Sequence, residues 1–110
     1  MKTLIAAIYL ICAAVIAAPA SADAGAGNAV TIQQYKFVPK DMTVSVGTAV
    51  KWTNQDQTPH NVIDTRKGFR SSALDTGDAF THIFTKPGVY KYYCGLHPFM
   101  TGTITVTAAK

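Results

Sequence analysis

The sequence predicts an all-β sandwich of seven or eight short strands, and three observations support this prediction. From Ala29 onward, apolar and polar residues alternate with a period of two, as they do in half-buried strands. Turn-forming residues interrupt the alternation at short intervals. No stretch beyond residue 22 shows a convincing helical repeat. Many short strands in so short a chain indicate an antiparallel or mixed sandwich.

The predicted strands follow one another with clear punctuation. Turns are expected at 39–41, at Gly47 and at 87–88, and residues 66–78 form a longer connection. His60 lies at the start of a strand, and Cys94 lies at the end of a strand that faces inward. The alternating positions that define the strands are Val30, Ile32 and Gln34; Met42, Val44 and Val46; Val50 and Trp52; Phe80, His82 and Phe84; Tyr90, Tyr92 and Cys94; and residues 103–107.

Residues 1–22 are predicted to be a secretory signal peptide. Lys2 supplies a positive start, residues 4–18 are apolar, and Ala20-Ser21-Ala22 offers a cleavage site. The apolar run is too short for a spanning helix, so no membrane anchor is expected after cleavage. Removal of 22 of the 110 residues leaves 88, which is enough for one domain over 23–110. Export implies a periplasmic protein.

Charge and cysteine content narrow the class of function. Without Lys2, nine Lys and Arg face six Asp, a formal charge of +3, and these charges are scattered. A nucleic-acid partner is therefore not expected, because it would need a denser basic stripe. Beyond the predicted leader the only cysteine is Cys94, so a disulfide within the mature chain is impossible. A single thiol in an oxidising compartment is expected to be reactive or to bind metal.

The segment Cys94-Gly95-Leu96-His97-Pro98-Phe99-Met100 places a thiol, an imidazole and a thioether three residues apart. Thiolate, imidazole and a weak thioether are ligands of a trigonal copper electron-transfer site, which needs one further histidine. His60 is the expected source, because a sandwich brings its loops together at its ends. His82 shares a strand face with two phenylalanines and is expected to be partly buried or at an edge. Met42 is expected to fill the core.

Other functions are also considered. Zinc is a rival metal, although structural zinc sites prefer four strong donors. The main alternative to electron transfer is a periplasmic copper protein for storage or delivery, which would prefer an exposed Met/His-rich site. A catalytic metal domain would need an open coordination position, and a metal-free adhesion module would leave Cys94 as a free thiol. The sequence shows no nucleophile–base couple or pair of carboxylates, so an enzyme is not expected.

Three motifs resemble those of the cupredoxins, and most closely those of the amicyanin group, with plastocyanins and pseudoazurins more distant. The motifs are Pro59-His60-Asn61-Val62, the strand at 88–94 and the short ligand loop at 95–100. The resemblance spans residues 30–106. It implies a cupredoxin-like Greek-key β-sandwich that binds one copper ion, cycling between Cu(II) and Cu(I).

The resemblance also implies roles for individual residues. His60, Cys94 and His97 would be the strong copper ligands and Met100 the weak axial ligand. Asn61 would tie the two ligand loops together, with Gly95 and Pro98 as further neighbours of the site. Gly95 departs from the amicyanin pattern, which has a threonine, so the Asn61 link would need backbone or water. The residues expected to dock a partner are Leu96, Pro98 and Phe99.

The expected function is that of a periplasmic type 1 (blue) copper protein that carries single electrons. By resemblance, the donor would be an amine dehydrogenase and the acceptor a c-type cytochrome. The protein is expected to act as a monomer.

Overall fold

The computed structural model describes residues 28–108, and within them it contains eight β-strands and no helix. The predicted all-β sandwich is confirmed. The predicted signal peptide at 1–22 lies outside the described residues. The strands are β1 Ala29–Gln33, β2 Lys36–Val38, β3 Asp41–Ser45, β4 Ala49–Asn54, β5 Ile63–Asp64, β6 Ala79–Ile83, β7 Gly88–Tyr93 and β8 Thr101–Thr107.

The strands form two four-stranded sheets with mixed directions. One sheet has the order β2-β1-β4-β6, and the other has the order β3-β8-β7-β5. The pairs β1–β4 and β3–β8 are parallel, and the remaining pairs are antiparallel. Parallel neighbours require the chain to cross between the sheets rather than turn back at once. The β1–β2 turn and the connections that follow β4 and β7 lie at the same end of the sandwich.

The core forms where inward-facing positions of the two sheets meet. Trp52 on β4 and Tyr92 on β7 are fully buried, with ring centroids 5.4 Å apart at 84°. Such edge-to-face pairs stabilise a core beyond their buried area. Gly102 on β8 lies opposite Tyr92 in the ladder, and the Tyr92 ring occupies the space that a Cβ at Gly102 would need. Because Gly102 has no side chain, the Tyr92 ring can pack directly against its backbone.

The strand predictions differ from the structure at several places. The predicted first strand through Gln34 ends at Gln33, and Gln34 and Tyr35 turn the chain into β2, which was not predicted. β5 has only two residues, β7 ends one residue before Cys94, and β8 begins two residues before the predicted 103–107. His60 makes an isolated bridge with Leu74 instead of opening a strand. The ladder of β5 is short because the chain around 60–62 bonds to the 66–78 connection, through His60 with Leu74 and Ser71 with Val62.

The expectations for Met42 and His82 agree with the structure. Met42 is half-buried and packs against the core. His82 is half-buried on the edge strand β6, with its ring 4.4 Å from Phe69 and 4.7 Å from Phe84. Burial lowers the pKa of His82 below its ordinary value of 6.5, and the negative charge of Asp64 opposes this effect. Within residues 28–108, no helix is long and apolar enough to cross a membrane.

Candidate metal centre

Three donor side chains meet at the end of the sandwich. His60, Cys94 and His97 each present one donor atom, and these atoms all lie within 4.8 Å of one another. The Cys94 Sγ lies 3.7 Å from His60 Nδ1 and 3.8 Å from His97 Nδ1. Both imidazoles therefore turn the same nitrogen toward the thiol. Spacings of this size suit three ligands that share one ion with bonds of about 2 Å.

The segment after β7 curls back on itself through three backbone hydrogen bonds. The His97 amide donates to the Cys94 carbonyl at 3.2 Å, and the Met100 amide donates to the His97 carbonyl at 2.9 Å. The Cys94 amide in turn donates to the Met100 carbonyl at 3.1 Å. These bonds hold Cys94, His97 and Met100 close together within the loop. Met100 is buried with Cys94, whereas His97 is only half-buried.

Asn61 links the upstream histidine segment to this loop. Its backbone amide donates to the Cys94 Sγ at 3.4 Å, and its Oδ1 accepts from the Gly95 amide at 2.6 Å. The contact thus uses the backbone of Gly95. A Cβ at Gly95 would lie 2.6 Å from Ile63 Cδ1, so the isoleucine occupies the space next to the glycine.

Asp56, a residue that the sequence did not indicate, determines which ring nitrogen of His60 carries the proton. The buried His60 Nε2 lies 2.8 Å from Asp56 Oδ2. Because a carboxylate accepts, Nε2 carries the proton, and Nδ1 keeps a free lone pair toward Cys94. Burial alone would raise the pKa of Asp56, but hydrogen bonds from the Tyr35 amide, His60 and the Gln34 amide outweigh it and lower that pKa.

The loop that carries Asp56 is itself held by a buried side chain. Asn54 Nδ2 donates to the carbonyls of Thr58 and Leu74, at 3.0 and 2.8 Å. Its Oδ1 accepts from the Asp56 amide at 2.9 Å. Since Asn54 ends β4, the sheet positions Asp56 and, through Asp56, the ring of His60.

Apolar side chains surround the half-buried His97 on the surface. Leu96 is 52% exposed and Phe99 is 70% exposed. Pro98 is exposed and lines a groove of about 500 Å³ with Tyr93 and β8 residues. Tyr35, another residue that the sequence analysis did not single out, packs edge-on against both His60 and His97. The predicted docking residues thus lie together beside the donor cluster.

Comparison with known proteins identifies the family. The family model described as the cupredoxin-like domain matches residues 4–106. The chain is a cupredoxin. The amicyanin-alpha of Methylorubrum extorquens is 34% identical over 90 residues, which cover 76% of either chain. The plastocyanin of Dryopteris crassirhizoma is 31% identical over 93 residues, covering 68% of this chain and 91% of that protein.

Solved structures agree with this assignment. A purple cupredoxin from Nitrosopumilus maritimus matches with a TM-score of 0.67 at 36% identity, over 72% of this chain and 98% of that chain. A reduced amicyanin variant matches with a TM-score of 0.67 at 31% identity, over 71% of this chain and 79% of that chain. The predicted resemblance to cupredoxins and to amicyanin is therefore confirmed.

The family is one of electron-transfer copper proteins, and the donors in this cupredoxin suit one copper ion. A thiolate, two imidazoles and a buried thioether combine soft and borderline ligands, as blue-copper sites do. A copper-containing nitrite reductase from Thermus scotoductus also matches, with a TM-score of 0.69 at 29% identity over 74% of this chain. This chain covers only 22% of that enzyme. The sandwich is thus found both as a separate protein and as one part of a larger enzyme.

Proposed function

We propose that this cupredoxin is a type 1 copper electron carrier in which His60, Cys94 and His97 bind the ion strongly and Met100 binds it weakly. The observation that carries the proposal is the convergence of the three donor atoms within 4.8 Å, with Met100 buried on the same loop. Bound copper would supply a one-electron change between Cu(II) and Cu(I). Cys94 provides the thiolate, and Asp56 keeps His60 Nδ1 free of its proton.

Burial favours a carrier over a storage or delivery protein. His60 and Cys94 are fully buried, and each makes a hydrogen bond that restrains it, His60 with Asp56 and Cys94 with the Asn61 amide. A protein that hands over its ion needs donors that a partner can reach and that can rearrange. In this chain only His97 among the three strong donors is partly open to solvent. The same closure argues against catalysis at the metal, since a substrate would need a vacant position.

The surface around His97 supports an electron path through that ring. Leu96, Pro98 and Phe99 form an apolar docking patch, and a partner seated there would contact the exposed edge of a copper ligand. Small apolar contacts of this kind suit short-lived redox encounters. By likeness to amicyanins, we propose an amine dehydrogenase as donor and a c-type cytochrome as acceptor. We further propose that residues 1–22 direct export to the periplasm and that the single domain at 23–110 acts as a monomer.

Visible absorption of the purified protein with Cu(II) tests the assignment of the site. The expected result is an intense thiolate-to-copper band that ascorbate bleaches and a mild oxidant restores. Cys94→Ser is expected to abolish the band, while the control Met42→Leu, which changes a thioether in the core, is expected to retain it. A weak band, or one lost irreversibly on reduction, would favour copper delivery or another metal.

Stopped-flow electron transfer to a c-type cytochrome tests the docking patch. Phe99→Asp is expected to slow transfer about tenfold while leaving the absorption band unchanged, because loss of about 1.4 kcal/mol at a central aromatic contact corresponds to a factor of ten. The matched control is Val89→Asp, which adds the same charge at an exposed apolar residue near the start of β7, 48% exposed. Equal rates for the two variants would contradict docking at the patch.

A further inference from the structure

The turn between β1 and β2 has a backbone that its residues do not favour. Gln34 and Tyr35 have φ values of 52° and 59°, in the left-handed region that glycine and asparagine prefer. Two-residue hairpins of this hand usually carry Asn-Gly or a similar pair. A bulky side chain at such a position persists only when its surroundings hold it there, and strain of this kind concentrates at functional sites.

The surroundings that hold this turn also hold the donor cluster. The carboxylate of Asp56 accepts from the amides of Gln34 and Tyr35, at 2.6 and 2.9 Å, as well as from His60. The Tyr35 hydroxyl lies 2.8 Å from Thr58 Oγ1, two residues from Asp56 and from His60. The unfavourable turn is therefore fastened to the segment that carries His60.

The ring of Tyr35 meets both imidazoles at once. Its centroid lies 5.2 Å from that of His60 and 4.9 Å from that of His97, with both interplanar angles at 89°. The two imidazoles, 4.8 Å apart, both turn Nδ1 toward Cys94. Tyr35 also stacks on Phe99, with centroids 6.4 Å apart at 22°. Tyr35 thus covers the pair of histidines and joins them to the docking patch.

We propose that Tyr35 is a positioning residue for the copper site, because its ring holds the His60 and His97 imidazoles in the orientation that presents both Nδ1 atoms to Cys94. This inference rests on the proposed function for its copper-bound consequences. The ring restricts rotation of His97, the one strong donor that is partly open to solvent. The left-handed turn is the conformation that places the ring over both imidazoles.

Substitutions within the turn separate the ring from the backbone. Tyr35→Gly removes the ring and relieves the positive φ, and Gln34→Gly relieves the same strain next to it while leaving the ring and both amides in place. Tyr35→Phe keeps the ring and removes only the hydroxyl contact to Thr58. For each variant, Cu(II) loss to excess EDTA is followed through the thiolate band, and urea unfolding is measured on the copper-free protein.

The expected result is copper loss roughly tenfold faster for Tyr35→Gly, since two aromatic contacts are removed. The rate is expected to stay within about twofold of the wild type for Tyr35→Phe and Gln34→Gly, whose ring contacts persist. Copper-free Tyr35→Gly is expected to unfold close to the urea concentration of the wild type, because relief of the positive φ offsets the loss of the ring contacts. In copper-free NMR spectra, the ring-proton signals of His60 and His97 are expected to shift in Tyr35→Gly and not in Gln34→Gly.

Two results would overturn the inference. Copper loss from Tyr35→Gly at the wild-type rate, with the thiolate band intact, would overturn the role of Tyr35 and leave the proposed function standing. Equally fast loss from Gln34→Gly and Tyr35→Gly would assign the effect to the turn backbone instead of the ring. Absence of the band from the wild type as well would overturn the proposed function, while the histidine signals would still report whether the ring packs on both imidazoles.

Discussion

Asp56→Ala and Asp56→Asn test whether the carboxylate next to His60 prepares it as a ligand. Asp56 accepts three hydrogen bonds, from His60 Nε2, the Gln34 amide and the Tyr35 amide. Alanine leaves all three donors without this acceptor, and it lets the His60 proton move to Nδ1, where it blocks metal binding. Asparagine can turn its oxygen toward His60 and Tyr35 and so preserves the tautomer, but it lacks the negative charge.

The magnitudes follow from the bonds that are lost. A hydrogen bond to a charged acceptor contributes about 1.5–3 kcal/mol, against about 1 kcal/mol for a neutral one. Losing only the charge assistance therefore corresponds to roughly a tenfold loss of copper affinity for Asp56→Asn. Asp56→Ala removes the acceptor altogether, and its copper affinity is expected to fall toward the upper end of the roughly 10–100-fold range found for residues that orient metal-binding histidines.

Copper affinity is measured by competition with a chelator of known affinity, and the proton position by ¹⁵N NMR of the imidazoles in the copper-free protein. Asp75→Ala removes the same charge from an exposed residue of the 66–78 connection and serves as the control. The reasoning is refuted if Asp56→Ala and Asp75→Ala bind copper equally well, or if His60 keeps its proton on Nε2 in Asp56→Ala.

Three further predictions concern the scaffold. Gly95→Ala is expected to lower the free energy of unfolding in urea by about 1–3 kcal/mol, because its methyl would overlap Ile63. Adding Ile63→Val is expected to recover part of that loss, and simple addition of the two single-variant effects would contradict the overlap. Gly102→Ala is expected to cost at least about 1–3 kcal/mol because its methyl would overlap the buried Tyr92 ring, and a change below about 0.5 kcal/mol would be inconsistent with that packing. Burial lowers the pKa of His82, so the unfolded chain binds a proton at His82 more readily than the folded chain does. The copper-free protein is therefore expected to lose stability relative to His82→Phe as the pH falls below 6.5. Parallel dependence of the two unfolding free energies on pH would contradict this prediction.

The parts of the fold that the sequence predicts are those whose cause is local. Val50 and Trp52, and likewise Tyr90 and Tyr92, lie two residues apart on one face because a strand is pleated, so these strands lie close to where the pattern indicates. The ligand loop is equally local, since its donors are three residues apart. β2 was not predicted because Gln34 and Tyr35 are not residues typical of a hairpin turn. The left-handed backbone of this turn depends on an acceptor, Asp56, more than twenty residues away in the chain.

The same distinction explains which neighbours of the donors were foreseen. Asn61 adjoins a ligand in the sequence, and a motif can include it. Asp56 and Tyr35 act on His60 through a polar loop and a hairpin that meet only in the folded chain. An aspartate four residues before a histidine, outside a helix, has no fixed orientation toward it. The anchoring of its loop by Asn54 and the hydrogen bonds from the Gln34 and Tyr35 amides supply that orientation.

Each of the three strong copper ligands is therefore contacted by a residue that is not itself a ligand. Asp56 holds His60, the Asn61 amide contacts Cys94, and Tyr35 covers His97. Since these partners belong to the sandwich, the donors converge for reasons that do not depend on a bound ion. Ligands restrained in this way would offer a bound ion nearly the same arrangement in both oxidation states. That restriction suits an electron carrier, in which rearrangement on each transfer would slow the exchange, and it would hinder a protein that has to release its metal.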